Sequence, residues 1–160
     1  MTKESQSNFS KQAAGGVGVV IDSLYPVEKG FLNIRKVPKM VMGPGKVDQL
    51  LMTVMGIEPK MLTRLRKSLD YFPELLQQYA LLAQGQGLSP DNSHSYQLAR
   101  DYDHLKRIRT ETPNTLAVVT SIEGAHALGA GTAAYAGLSR HAHQELLSEN
   151  IRTVKSWESP

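Results

Sequence analysis

LAVVTSIEGAHAL, Leu116 to Leu128, opens on Leu116, Ala117, Val118, Val119 and Ile122, the apolar residues of a buried β-strand, and closes on small residues. Thr112-Pro113-Asn114 breaks the pattern just before it. Glu123 follows the last apolar position at once, with Gly124 behind it. In parallel α/β folds ligands gather beyond the carboxyl ends of strands, because the loops there vary while the sheet holds them rigidly. A carboxylate at that point is a candidate metal ligand or general base. The same placement also suits a glutamate that caps a neighbouring helix or pairs with an arginine. His126 either lines the same pocket or is a hydrogen-bonded structural histidine among small neighbours.

Working outward, a second β-branched run, Val17, Val19, Val20 and Ile21 through Leu24, predicts a parallel strand covered on both faces. Gly15-Gly16 ends a short helix before it, and Tyr25-Pro26 closes it. Glu28 to Gly45 has Pro38, Pro44 and scattered lysines without a period, and reads as a loop. Helical spacing then dominates. Leu50, Leu51, Val54 and Met55 form one apolar face, and Leu62, Leu65 and Leu69 form another with arginines mostly elsewhere. Pro73 opens a further helix that Gly85, Gly87 and Pro90 end, and Leu98, Tyr102, Leu105 and Ile108 suggest a polar surface helix from Ser95 to Arg109. A last amphipathic helix, Ser139 to Trp157, carries Leu146, Leu147, Ile151 and Val154.

The chain of 160 residues can bury a core of its own, since a domain of this size covers roughly 70% of its extended-chain surface. With 41% hydrophobic and 21% charged residues, neither disorder nor a fibrous repeat is indicated. No segment approaches the ~18 apolar residues of a spanning helix, and the first residues lack the apolar core of a signal peptide, so a cytoplasmic address is expected. Absence of cysteine removes disulfides, thiolate metal sites and cysteine nucleophiles. The net charge of +3, with basic residues interrupted by acidic ones and few aromatics, argues against a nucleic-acid face.

Three weaker motifs fail on context. Gly124, Gly129, Gly131 and Thr132 resemble a phosphate loop, but Ala130 stands where its lysine is needed. Gly15, Gly16 and Gly18 precede their strand, whereas a dinucleotide fingerprint follows one. His141 and His143 lie on a helix, where residues two apart diverge by about 200° and cannot share an ion. Asp101, Asp103 and His104 receive the same discount. No Gly-x-Ser-x-Gly elbow occurs.

VVTSIEGAHAL, Val118 to Leu128, resembles the strand of the membrane (renal) dipeptidase family in which an Ile/Val-Glu-Gly-Gly/Ala-His run supplies a metal-bridging carboxylate. AGGVGVVIDSLYPVEKGF, Ala14 to Phe31, is similar to the second strand and following loop of bacterial members, and the helix ending at Trp157 resembles the one before their next strand. The resemblance implies a (β/α)8 barrel with two zinc ions, a bridging hydroxide as nucleophile, and dipeptides or small amides as substrates. Glu123 matches the bridging glutamate. The family's His-x-Asp pair would lie before Met1 and its later histidines beyond Pro160, and a complete barrel takes about 250 residues.

The expectation is therefore an α/β chain forming one partial (β/α)8 (TIM-type) barrel over residues 1–160. It has few parallel strands, near 17–24 and 115–122, a helical insertion over 46–111 and a C-terminal helix over 139–157. Functionally it is a fragment or degenerate copy of a zinc-dependent dipeptidase-like hydrolase. Glu123 is the retained metal ligand, His126 a substrate-binding candidate, and no catalytic residue is assigned. The two zinc ions of the family are not expected to be fully bound by this chain alone. Uncovered strand edges would invite self-association. A non-enzymatic α/β or helical interaction module is the alternative, and a nucleotide-binding domain the third possibility.

Overall fold

Residues 8–26, 70–88, 94–129 and 137–158 are described by the computed structural model, with the isolated helical positions 49, 52, 53 and 59. In chain order they form α1 (Phe9–Ala14), β1 (Val19–Leu24), α2 (Tyr71–Gln84), β2 (Gly87–Leu88), β3 (Ser95–Leu98), α3 (Tyr102–Glu111) and β4 (Thr115–Ile122). A 3-10 turn (Ala125–Leu128), α4 (Arg140–Lys155) and a second 3-10 turn (Ser156–Glu158) follow. The expected loop over 28–45, the helices over 47–55 and 58–69, and the small residues after Gly129 fall wholly or largely outside the described residues.

The sheet runs β1-β4-β3-β2. β1 and β3 both lie parallel to β4, and the short β2 runs antiparallel to β3. The chain is thus a mixed α/β protein built on three parallel strands. β1 and β4 pair in register from Val19↔Ala117 to Leu24↔Ile122, so their carboxyl ends coincide. The amide of Glu123 donates to the Leu24 carbonyl at 3.1 Å and closes that end of the ladder.

β4 is central, which is why its sequence is apolar on both sides: Thr115, Leu116, Ala117 and Val118 are all buried. On one face Leu116 and Val118 join Leu98 of β3, with Val20, Tyr96, Phe9 and residues of α2 packed around them. α3 lies against β4, and Ile108 is its one buried residue. A second cluster, Leu24, Phe72, Leu75 and Ala127, seals the carboxyl end between α2 and the 3-10 turn. Helix ends follow their sequence signals. Ser139 and Asp101 each accept a backbone N–H in the first turn of α4 and α3, and Gly85 caps α2.

Three expectations need correction. The segment from Ser95 is not helical at its start: β3 spans Ser95–Leu98, and the helix begins only at Tyr102. Ser95, Tyr96, Gln97 and Leu98 find backbone partners across β4, and the Ser95 hydroxyl lies 2.7 Å from that of Thr115. That ladder outweighs a helical spacing which the four residues satisfy only through Leu98. The stretch 46–111 consequently contains two strands as well as helices, since Gly87 belongs to β2. Finally, β1 is not covered on both faces. Among the described residues it lies at one edge of the sheet, with Val19 and Ile21 41% and 71% exposed, while α3 packs on its neighbour β4.

Candidate functional site

Glu123 emerges where the paired strands β1 and β4 end. Its amide is held by Leu24, while its side chain is exposed. Gly124 then turns the chain with φ of +83°, a conformation costly for any residue with a Cβ. A Cβ there would also sit 2.5 Å from the imidazole of His126. The turn is completed by the Ala127 amide on the Gly124 carbonyl at 3.1 Å and the Gly129 amide on the His126 carbonyl at 2.9 Å. Sequence, strand end and turn therefore act together to project one carboxylate outward.

His126 has a different environment from Glu123, although three residues separate them. Its Nε2 lies 2.9 Å from the carbonyl of Pro26, and since a carbonyl only accepts, Nε2 carries the proton. Tyr25 and Tyr71 meet the ring edge-on, with centroids 5.4 Å and 5.1 Å away. Gln78 of α2 donates to the Tyr25 carbonyl at 3.4 Å, so the end of β1, α2 and the 123–126 turn are tied at one point. Nε2 of His126 is occupied in holding the fold.

Among the described residues no three or more His, Asp or Glu side chains gather where they could hold a metal ion. Glu123 offers one carboxylate. A zinc pair needs several ligands, so the described residues do not fit a binuclear centre unaided. His141 is exposed on α4 and pairs with Glu145 at 3.2 Å, one turn along, as solvent-facing residues do.

A second concavity opens at the carboxyl end of β3, and none of its residues was singled out from the sequence as functional except His104, which was discounted. Tyr79 of α2 stacks on Trp157 with ring centroids 3.7 Å apart and planes 5° from parallel. Beneath them is a cavity of about 130 Å3 walled by Leu98, Ile122 and Val154, with Arg100 at its edge. It adjoins a wider polar cleft of about 460 Å3 that Gln97, His104 and Ser156 enter. Burial raises the Tyr79 phenol above its ordinary pKa, and the charge of Arg100 opposes that rise. Arg100 was hidden by the helical reading of Ser95–Arg109. The signal was present in Arg100-Asp101, a strand end followed directly by a helix N-cap.

No protein family, curated protein or solved structure matches the chain. No helix among the described residues is long and apolar enough to cross a membrane.

Proposed function

We propose that the chain is a piece, or a degenerate copy, of a zinc-dependent dipeptidase-like hydrolase, with Glu123 as the carboxylate that would bridge two metal ions in the complete enzyme. One observation carries this: β1 and β4 are parallel neighbours whose carboxyl ends coincide, and Glu123 projects from that shared end. Parallel neighbouring strands make up a (β/α)8 barrel, and barrel enzymes carry their chemistry at the carboxyl ends of those strands. The chain's own contribution is to fix one carboxylate. The Glu123 amide, the Gly124 turn and the His126 tie to Pro26 hold its backbone, while dipeptide or small amide substrate and the remaining ligands come from elsewhere.

Zinc binding and dipeptide hydrolysis by the purified chain test this. The expected result is weak zinc binding that Glu123→Gln abolishes, with no turnover. Zinc binding indifferent to Glu123→Gln would sink the assignment, and two tightly held ions with turnover would show a self-sufficient enzyme instead of a piece.

A non-enzymatic α/β module is the second possibility, favoured by β3. In a closed barrel the far edge of β4 pairs with the strand that follows it in sequence, whereas here the preceding strand β3 lies there. A module complete in itself would be monomeric and melt in one cooperative step; a barrel piece, with the edge of β1 uncovered by described residues, would self-associate. Size-exclusion chromatography and thermal unfolding separate the two.

A further inference from the structure

We propose that the cleft at the carboxyl end of β3 binds a small organic carboxylate bearing one compact apolar group, with the anion at Arg100 and the apolar group beside Trp157. The two cavities share Tyr79, Leu98, Arg100 and Trp157 as lining residues, so they lie against one another, the smaller as a mainly apolar floor and the wider as a polar mouth. The floor, about 130 Å3, is slightly smaller than the ~150 Å3 apolar cavity that accepts benzene, which suits a branched alkyl group of four or five carbons.

The mouth selects charge. Among the described residues lining it, Arg100 is the permanent cation and no carboxylate is present. The Arg100 amide donates to Nδ1 of His104 at 3.3 Å, which places the neutral imidazole's proton on Nε2 and makes that atom a second donor. Gln86 is engaged elsewhere, its Oε1 accepting from the Leu98 amide at 2.8 Å and its Nε2 donating to the Ala83 carbonyl at 3.2 Å. A guanidinium with no carboxylate in the same cleft binds an anion in a fork of parallel hydrogen bonds. The position also obeys the general rule for open α/β sheets, in which ligands lie outside the carboxyl ends of strands. Glu123 lines neither cavity, so this site stands apart from the dipeptidase assignment.

The test is a titration of the isotope-labelled full chain with 4-methylpentanoate, followed by NMR at the Trp157 indole N–H and the Arg100 amide. Saturable binding in the millimolar range is expected, as for a fragment of this size. 4-Methylpentan-1-ol and acetate, which each lack one half of the ligand, should bind at least about tenfold more weakly, the worth of one charge-assisted hydrogen bond or a buried alkyl group. Arg100→Gln should lose a similar factor, Arg100→Lys, which keeps the charge but not the fork, should lose affinity by a smaller factor, and Glu123→Gln should change nothing. Arg100 is exposed, so both of its variants should melt like the parent chain. Equal binding of the alcohol, unchanged affinity in Arg100→Gln, or no saturable shift below about 10 mM would each overturn the proposal.

Discussion

Gly124 shows how much one residue can decide. Its φ of +83° and the imidazole against its α-carbon both exclude a side chain, so Gly124→Ala must either rotate the turn or expel His126 from Pro26. The expected cost is about 1–3 kcal/mol, read as a lower melting temperature. Tyr96 is a second such residue. Its hydroxyl donates to the Leu82 carbonyl at 2.6 Å across the β3–α2 interface, and Tyr96→Phe should lose about 1 kcal/mol. Burial, with the charge of Asp22 adding to it, raises the Tyr96 phenol above its ordinary pKa. A raised phenol favours the protonated, folded form. Its contribution to stability is therefore complete below the unfolded value near 10 and is lost as pH climbs through the higher folded value. Chemical denaturation at stepped alkaline pH should show that decline, and Tyr96→Phe should flatten part of it. Neither residue declared its partner in the sequence, because both depend on atoms from other elements.

At the level of elements, local chemistry was legible where it was local. Gly15 and Gly85 as stops, Ser139 as the start of the last helix and Tyr25-Pro26 as the end of β1 all stand where the sequence placed them. β3 was missed because SYQL is short and its strand character comes from β4, twenty residues further on. The Asp101 cap is the joint that separates the two states of this segment. Its Oδ1 accepts from the His104 amide at 2.6 Å, directly after the turn that follows β3. Asp101→Ala should cost about 1 kcal/mol and fray the first turn of α3, visible as faster hydrogen exchange at His104. If exchange there is unchanged, the cap is not what starts this helix.

For the whole molecule, the pairing of β1 with β4 follows from two β-branched runs that sequence alone identifies, yet their register and the position of β3 require the folded sheet. Glu123 could be singled out because its motif lies in five consecutive residues; that Arg100, Tyr79 and Trp157 line one cavity could not be read, because α2, β3 and the C-terminal turn bring them together from distant positions. The same separation explains the exposed face of β1, which a β-branched run cannot reveal. Ile21 is 71% exposed on a strand that has an open edge among the described residues. Ile21→Lys should therefore reduce concentration-dependent association in size exclusion with little effect on melting, since a lysine on an edge strand opposes edge-to-edge pairing. Unchanged association would direct attention to another surface.

Trp157 is the chain's single tryptophan, and it rests flat on Tyr79 at the junction of α2 with the C-terminal turn. The protein thus contains its own optical reporter. Its indole fluorescence has one source, and any event that parts the two rings or admits water between them changes one uncontaminated emission spectrum. Detachment of the C-terminal segment can be timed by that emission while circular dichroism follows the helices. Disagreement between the two traces would reveal a stage in which the last helix has let go and the sheet has not.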